Sequence, residues 1–400
     1  MANVKFLQFS DLHLGARFAW LPRERRAERR REQQRALERS VALAIERGAH
    51  AILLPGDLFD DVDVDAESLA VAIAAFRMAG CPPVFIAPGN HDPWFESSPT
   101  WSPRMLAARG LRWPEHVHTF STPGWTSMRL GDLPVRIWGR CFTPGMASME
   151  RPLGAEVRAT LGTLPVTELH IGVFHGSLEG HTPPGQKMVA PFSLDEAQHS
   201  PFAWMAIGHY HRALSNAHFA YAGSTLALDA TETGGHGALE VRIEHGSGPV
   251  SAAIDAIGVD TRRAHLVDVD VTGAASADLI DRRVLAALDQ AGVGERDFAK
   301  LRLTGRLTSG VRWSAPGEEL AGRAWHLRAD TAAMRPEWDL EELRHISEET
   351  TEGRFARVLI ERIDHETDPE ARATLERALY YGLDAFRLRE VAPMWEEIGS

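Results

Sequence analysis

Two cysteines, Cys81 and Cys141, are all that 400 residues provide. That is too few for a disulfide framework and fits a reducing compartment. Lysine is nearly as scarce, with only Lys5, Lys187 and Lys300, so arginine carries almost all of the positive charge. No apolar run approaches the ~18–20 residues needed to span a bilayer. Residues 1–10 lack the basic, apolar and cleavage regions of a signal peptide. A cytoplasmic protein with no membrane segment is therefore expected. No internal repeat recurs at a fixed period, and no long low-complexity stretch interrupts the chain.

The net charge of −12 is unevenly placed. Residues 336–400 hold 17 acids against eight arginines, a net of −9, which leaves only −3 for the rest. The overall acidity therefore does not exclude a polyanionic substrate for residues 1–335. It does argue against a protein that coats nucleic acid by charge alone.

Short apolar runs alternate with helical patterns over the first 245 residues. Buried strands are expected at Val4–Phe9, Ala51–Leu54, Val84–Ala87, Ile171–Phe174 and Met205–Ile207. Each is rich in branched or aromatic residues. Helices are expected at about Pro22–Arg47 and Ala66–Ala79, with a weaker one near Glu156. Further strands are expected at Val135–Gly139, Phe219–Ala222 and Leu239–Ile243. This alternation implies a layered α/β architecture. Beyond about residue 260 a strand (Ala264–Val271), a helix (Ser276–Ala291) and a strand (Phe298–Leu307) read as a small β-α-β appendage. From Trp338 onward the pattern is helical. The expected division is a catalytic domain at 1–258, a capping domain at 259–335 and an acidic helical tail at 336–400 that is open to a partner.

Each of the five strands is followed at once by metal-ligating side chains. After the first comes Ser10-Asp11-Leu12-His13, and after the second Gly56-Asp57-Leu58-Phe59-Asp60. After the third comes Gly89-Asn90-His91-Asp92, after the fourth His175-Gly176, and after the fifth Gly208-His209-Tyr210-His211. Side chains two apart on an extended chain point the same way, so Asp11 and His13 can grip one ion. Loops at the carboxyl ends of strands are where open α/β sheets place their sites. A lone Asp-x-His or Gly-Asn-His-Asp is usually just a turn, but five such segments in order are hard to explain as turns. Mixed carboxylate and imidazole ligands suit Mn²⁺, Fe or Zn²⁺ and not Ca²⁺, which takes oxygens. Two ions ~3.5–4 Å apart need a shared ligand, and Asp57 is the expected bridge. His181 and His236, in glycine- or proline-rich loops, are candidates to line the cleft.

The ordered set resembles the calcineurin-like metallophosphoesterase superfamily, over residues 4–211. Ser10-Asp11-Leu12-His13-Leu14-Gly15 resembles the SbcD-type DNA repair exonucleases. So does Tyr221-Ala222-Gly223-Ser224-Thr225 followed by Gly234 to Val241, and Ala190-Pro191-Phe192-Ser193 resembles their YhaO branch. The resemblance implies a layered β-sandwich flanked by helices, with a small C-terminal β-α-β cap and helical tail. It implies that Asp11, His13, Asp57 and His211 hold one divalent ion, and that Asp57, Asn90, His175 and His209 hold the other. Mn²⁺ is the expected ion. His91 would donate a proton, Asp92 would orient it, and Asp60 would support the site from behind. Pro55 and Tyr210 depart from the family's usual residues but remove no ligand.

The implied activity is hydrolysis of phosphodiester bonds by a hydroxide activated between two metals, most naturally as a DNA exo- or endonuclease. The implied partners are DNA, an SbcC-like coiled-coil ATPase and a second copy in a homodimer. The same ligands also serve a phosphodiesterase or phosphatase acting on cyclic nucleotides or other small phosphoesters. Arg23–Arg35 has seven arginines against three glutamates. It reads either as a phosphate-binding face or, preferably, as a solvated helix with internal Glu–Arg pairs.

Overall fold

The computed structural model describes residues 2–391 except 146–148, 156, 158–160, 163, 166, 183–185, 246–250, 309, 348 and 390. The helix expected near Glu156 lies outside the described residues. The chain divides into two units, Met1–Arg263 and Ala264–Ser400.

The first unit is a two-sheet sandwich. One sheet orders β12 (Ser251–Gly258), β11 (Gly237–His245), β1 (Ala2–Gln8), β2 (Ala51–Leu54), β3 (Val84–Ile86) and β4 (Val117–Thr119). The other orders β5 (Thr126–Arg129), β6 (Val135–Gly139), β7 (Leu169–His175), β8 (Trp204–Gly208), β10 (Phe219–Tyr221) and β9 (Leu214–Ser215). β1 to β4 run parallel, as do β6, β7, β8 and β10. Parallel strands need crossovers, and α1 (Arg23–Glu46), α2 (Ala66–Phe76) and α3 (Pro103–Ala108) supply them in the first sheet.

Alternation sorts each strand between two layers. In β7 and β8, Ile171, Val173, Trp204 and Ala206 point into the core shared with Phe6, Leu53 and Phe85 of the first sheet. Phe174, Met205 and Ile207 face the opposite way and pack with Phe192, Tyr210 and Tyr221. Both faces are thus covered, which is why these strands read as continuous apolar runs. The rigid sandwich fixes where the loops after β1, β2, β3, β7 and β8 emerge.

The long helix α1 follows Pro22 and is built of strong helix formers. Its buried face includes three polar residues, Arg29, Gln33 and Ser40, beside Ala36, Leu37, Val41 and Ala44. The Arg29 guanidinium makes a bidentate pair with Asp260 at 2.9 and 2.7 Å, and also donates to Glu32 and to the Ala227 carbonyl. Arg262 takes Glu28 and Glu32. Arg29–Glu32 is an internal pair of the expected kind. Arg262, which both Glu28 and Glu32 meet, lies outside the helix.

The second unit is a parallel sheet of β13 (Ala264–Asp270), β14 (Phe298–Leu307) and β15 (His326–Pro336). The helix Ala277–Gln290, capped by Ser276, packs on it through Ile280, Val284 and Leu288 at four-residue spacing. The third strand, β15, was not expected. Helices Leu340–Arg344, Thr351–His365 and Pro369–Leu388 form the tail. They bury Leu343, Ala356, Ile360, Leu379 and Leu383 among themselves, while Val358 stays exposed. The buried Asp384 accepts from Arg306 of β14 at 2.8 Å and from the Trp338 indole at 2.9 Å, which fastens the tail to the small sheet. Among the described residues no helix is long and apolar enough to cross a membrane.

Arg29 gives the first test. Replacing it with alanine leaves the buried Asp260 carboxylate without its guanidinium. Breaking one side of a buried ion pair costs roughly 3–5 kcal/mol. Arg29→Ala is therefore expected to lower the denaturant midpoint by that stability. Arg30→Ala, at an exposed neighbouring position, should stay within about 0.5 kcal/mol. Equal effects of the two would show that the network carries no stability.

Candidate metal centre

Each ligand segment turns sharply as it leaves its strand. Asp11, His13, Asp57 and His209 all have positive φ, at 50, 51, 52 and 112°. This conformation costs a non-glycine residue about 1–3 kcal/mol and persists only where its surroundings over-determine it. Here the determinants are visible. The first loop pairs with the second through Asp11 N–H to Gly56 O (3.2 Å), His13 N–H to Asp57 O (3.0 Å) and Leu14 N–H to Leu58 O (2.8 Å). The buried Gln33 donates from Nε2 to the carbonyls of Leu12 and His13, at 2.7 Å each. The second sheet joins the first where His209 N–H donates to the Asp11 carboxylate at 3.0 Å.

The loops meet too closely for any side chain at two positions. A Cβ on Gly89 would lie 2.2 Å from Asp57 Oδ1, and one on Gly208 would lie 2.0 Å from the Pro55 carbonyl oxygen. Glycine is required at both.

Among the described residues, candidate ligating atoms gather in three groups, one of them His13, Asp60 and His91; the other two consist of expected ligands alone. Asp11, His13 and His211 have one ligand atom each within 4.8 Å of the others, and so do Asp57, His175 and His209. Asp57 links the two: its Oδ2 is 3.3 Å from His175 Nε2 and 3.8 Å from His13 Nε2. Asn90 joins the second group, with Oδ1 2.9 Å from His175 Nε2. All seven expected ligands are therefore brought together.

The residues fit a pair of cations. His13 Nε2 is buried and has no hydrogen-bond partner. His175 Nδ1 lies 2.9 Å from the Pro55 carbonyl, which can only accept. In a neutral His175 the Nε2 lone pair would then face the oxygens of Asn90 and Asp57, three acceptors with no hydrogen between them. A cation or an extra proton resolves this. The other imidazoles are tethered in the same way at the nitrogen that would not ligate. His13 Nδ1 meets Asp60 Oδ1 (3.1 Å), His211 Nδ1 meets Glu232 Oε1 (2.7 Å), and His209 Nε2 meets the Lys187 carbonyl (3.0 Å). Such tethers fix ring orientation and tautomer at metal sites.

Charge follows the same logic. Burial works against an ionised Asp57, yet His175 and then His13 hold its carboxyl well below the usual carboxylate range. Burial likewise opposes the charge of His175 and His211. The Asp57 carboxylate nevertheless pushes His175 up to about 9, and Glu232 pushes His211 up to about 9. Burial, followed by His175, lowers His209 to about 4.

His91 stands at the exposed edge. Its backbone N–H donates to Asp57 Oδ1 (3.0 Å), its Nδ1 lies 2.9 Å from the Asp60 carbonyl, and its ring is 4.7 Å from that of His13. Asp92 departs from expectation. Its buried carboxylate accepts from the backbone N–H groups of Gly89, Asp57, Leu58 and Phe59 at 2.7 to 3.3 Å. The ring of His91 is steered by the Asp60 carbonyl instead. Asp92 clamps the second and third loops together, and burial and Asp57 push its carboxyl up to about 7 against those donors. His236, a candidate to line the cleft, contacts Ser224 and Glu232. His181 is exposed, with Nδ1 3.2 Å from the Glu179 carbonyl. Glu232 was not foreseen from the sequence, because it lies 21 residues past His211 in a loop without periodic pattern.

The raised His175 and His211 set a pH dependence. A ligating imidazole must be neutral, so at pH 7 each bound cation displaces a proton from one of them. Apparent affinity should then rise as pH climbs toward about 9 and level off above it. Below that, each released proton costs roughly tenfold per pH unit. Calorimetric titration in two buffers of different ionisation enthalpy counts these protons, and a release of none would overturn the assignment.

Among solved structures the chain is similar at low identity to several others. One is a protein of Thermus thermophilus, with 16% identity, 64% of this chain and 100% of the other covered, and a TM-score of 0.36. Another is a dimetal phosphatase from Danio rerio, with 13% identity, 63% and 98% covered, and a TM-score of 0.37. A predicted phosphoesterase from Streptococcus pneumoniae shows 13% identity, 65% and 92% covered, and a TM-score of 0.27. No curated protein matches the chain. Residues 4–142, which include Asp11, His13, Asp57, Asn90 and His91, match the family model of the calcineurin-like phosphoesterases.

Proposed function

We propose that this protein is a metal-dependent phosphodiesterase that uses two divalent cations and acts on DNA as a nuclease. The observation that carries the two-cation reading is the buried Asp57 carboxylate, which lies between two groups of ligand atoms and within 4 Å of an imidazole from each. Asp11, His13, Asp57 and His211 would hold one cation, and Asp57, Asn90, His175 and His209 the other. When bound, the pair would neutralise phosphate oxygens and make a water nucleophilic at neutral pH.

The chain's own groups do the rest. The loops orient the scissile phosphate against the fixed imidazoles. His91 Nδ1 donates to the Asp60 carbonyl, so it is Nε2 of the imidazolium form that is free to give up a proton. That proton passes to the departing sugar oxygen as the phosphorus–oxygen bond breaks. Preference for DNA is supported by the sequence resemblance at Gly15 and at Gly223-Ser224. A coiled-coil ATPase partner belongs to the same proposal. The alternative substrate class, cyclic nucleotides and other small phosphoesters, uses the same ligands. Comparing kcat/KM for DNA with that for a cyclic nucleotide separates the two.

Two experiments test the chemistry. Asp57→Asn removes the shared charge and is expected to abolish hydrolysis of a nitrophenyl diester, with loss of bound metal and an unchanged fold. The wild-type protein stripped by chelator should recover with Mn²⁺ better than with Ca²⁺. Full activity in excess chelator would end the two-cation reading.

His91→Asn separates the two jobs a histidine can have at this position. A DNA strand leaves as a sugar alkoxide that needs protonation, whereas nitrophenolate leaves readily without it. The variant should slow DNA cleavage by roughly 10²–10⁴-fold, the usual worth of general acid catalysis. It should slow the nitrophenyl diester far less, with metal content normal. Equal losses on both substrates together with depleted metal would make His91 a ligand instead.

A further inference from the structure

The segment from Gly223 to His236, between β10 and β11, wraps the back of one ligand group. Glu232 Oε1 accepts from His211 Nδ1 at 2.7 Å. Its Oε2 accepts from Leu228 N–H at 2.8 Å and lies 3.2 Å from Ser224 Oγ. Ser224 N–H donates to the His211 carbonyl at 2.9 Å, and its Oγ lies 3.0 Å from His236 Nδ1. His236 Nε2 closes the ring at 2.9 Å from the Glu232 main-chain oxygen. Thr225 Oγ1 donates to the Ser10 carbonyl at 3.1 Å, beside Asp11. The segment therefore touches the loops of two ligands, Asp11 and His211, and both belong to the same group.

We infer that Glu232 is the positioning residue of the Asp11–His13–His211 group, and that this clip sets the group's metal affinity separately from that of the Asp57–His175–His209 group. The inference rests on the two-cation reading. Its logic is a count of acceptors. An ionised carboxylate only accepts, so in the neutral ring that can ligate, His211 Nδ1 must carry the hydrogen and Nε2 keeps its lone pair toward the ligand cluster. Leu228 N–H can only donate, so it needs the other oxygen. A side chain here must offer two acceptors pointing in two directions. Glutamine offers one acceptor and one amide. If the amide faces Leu228, two donors collide. If it faces His211, it favours the tautomer that protonates Nε2, which can no longer ligate. Tethers of this kind typically alter metal affinity by about 10–100-fold.

The test is a double-mutant cycle on the metal-stripped full chain, read by calorimetric titration with Mn²⁺ rather than by activity. The wild-type protein should bind two ions. Glu232→Gln should weaken one ion by about 10–100-fold and leave the other unchanged. His211→Ala should lose that same ion, and adding Glu232→Gln to it should change nothing further, because Glu232 acts only through His211. Wild-type constants for Glu232→Gln, or a further loss in the double variant, would overturn the inference. If circular dichroism shows that Glu232→Gln does not fold, Ser224→Ala decides: a smaller weakening of one ion alone supports the clip, and unchanged constants overturn it. A wild-type protein that binds fewer than two ions would overturn the two-cation reading itself, and the clip with it.

Discussion

One buried carboxylate organises the centre. Asp57 is 1% exposed, and burial by itself would favour its neutral form. It keeps its charge because imidazoles flank it: His175 at 3.3 Å and His13 at 3.8 Å to Oδ2. The backbone N–H of His91 meets the other oxygen, Oδ1, at 3.0 Å. An ionised oxygen that faces two nitrogens from different loops is what a bridging ligand requires. Remove the charge and the two ligand groups lose their common member. The remaining imidazoles would also have fewer reasons to converge.

Holding that carboxylate in place requires unfavourable backbone, and the surroundings supply the compensation. Four ligand residues adopt positive φ. A short ladder between the first two loops, the Gln33 amide from helix α1 and the Asp92 carboxylate fix them. None of these groups needs to touch a metal. Asp92 was expected to act on His91 and instead binds backbone, because the tight turn from Gly89 to Asp92 aims its side chain at the Asp57 loop. The sandwich core beneath, with Phe6, Leu53, Ile171 and Trp204, sets the distance between the sheets and so between the ligands they carry.

The parts legible in the sequence are those whose signal is local. β1, β2, β3, β7 and β8 are buried on both faces, so they appear as apolar runs, and their ligands follow directly. β12 was missed because its alternating residues are only exposed or half-buried, several of them alanine, and β15 because its apolar residues, Leu327, Ala329, Ala332, Ala333 and Met334, keep no alternation and include none that is β-branched or aromatic. Glu232 was missed because its contact with His211 is made by a loop folding back, which no spacing records. The role of Arg29 was missed for the same reason: Asp260 lies 231 residues away.

The arginine-rich helix shows how far charge composition can mislead about substrate. Arg29 is fully buried in an ion-pair network, and Arg26 donates to the Leu21 and Ala19 carbonyls. Arg30 and Arg31 line a cleft of about 300 Å³ with Gly15 and Ser68, but Asp65 and Glu67 share that cleft. A groove of mixed sign attracts a polyanion weakly, since nearby carboxylates offset the guanidinium charges. Gln33, from the same helix, fixes the carbonyl of His13. The helix therefore acts first as a brace for the loop that carries Asp11 and His13. Its arginines give no ground of their own for choosing between DNA and small phosphoesters as the substrate of the proposed function.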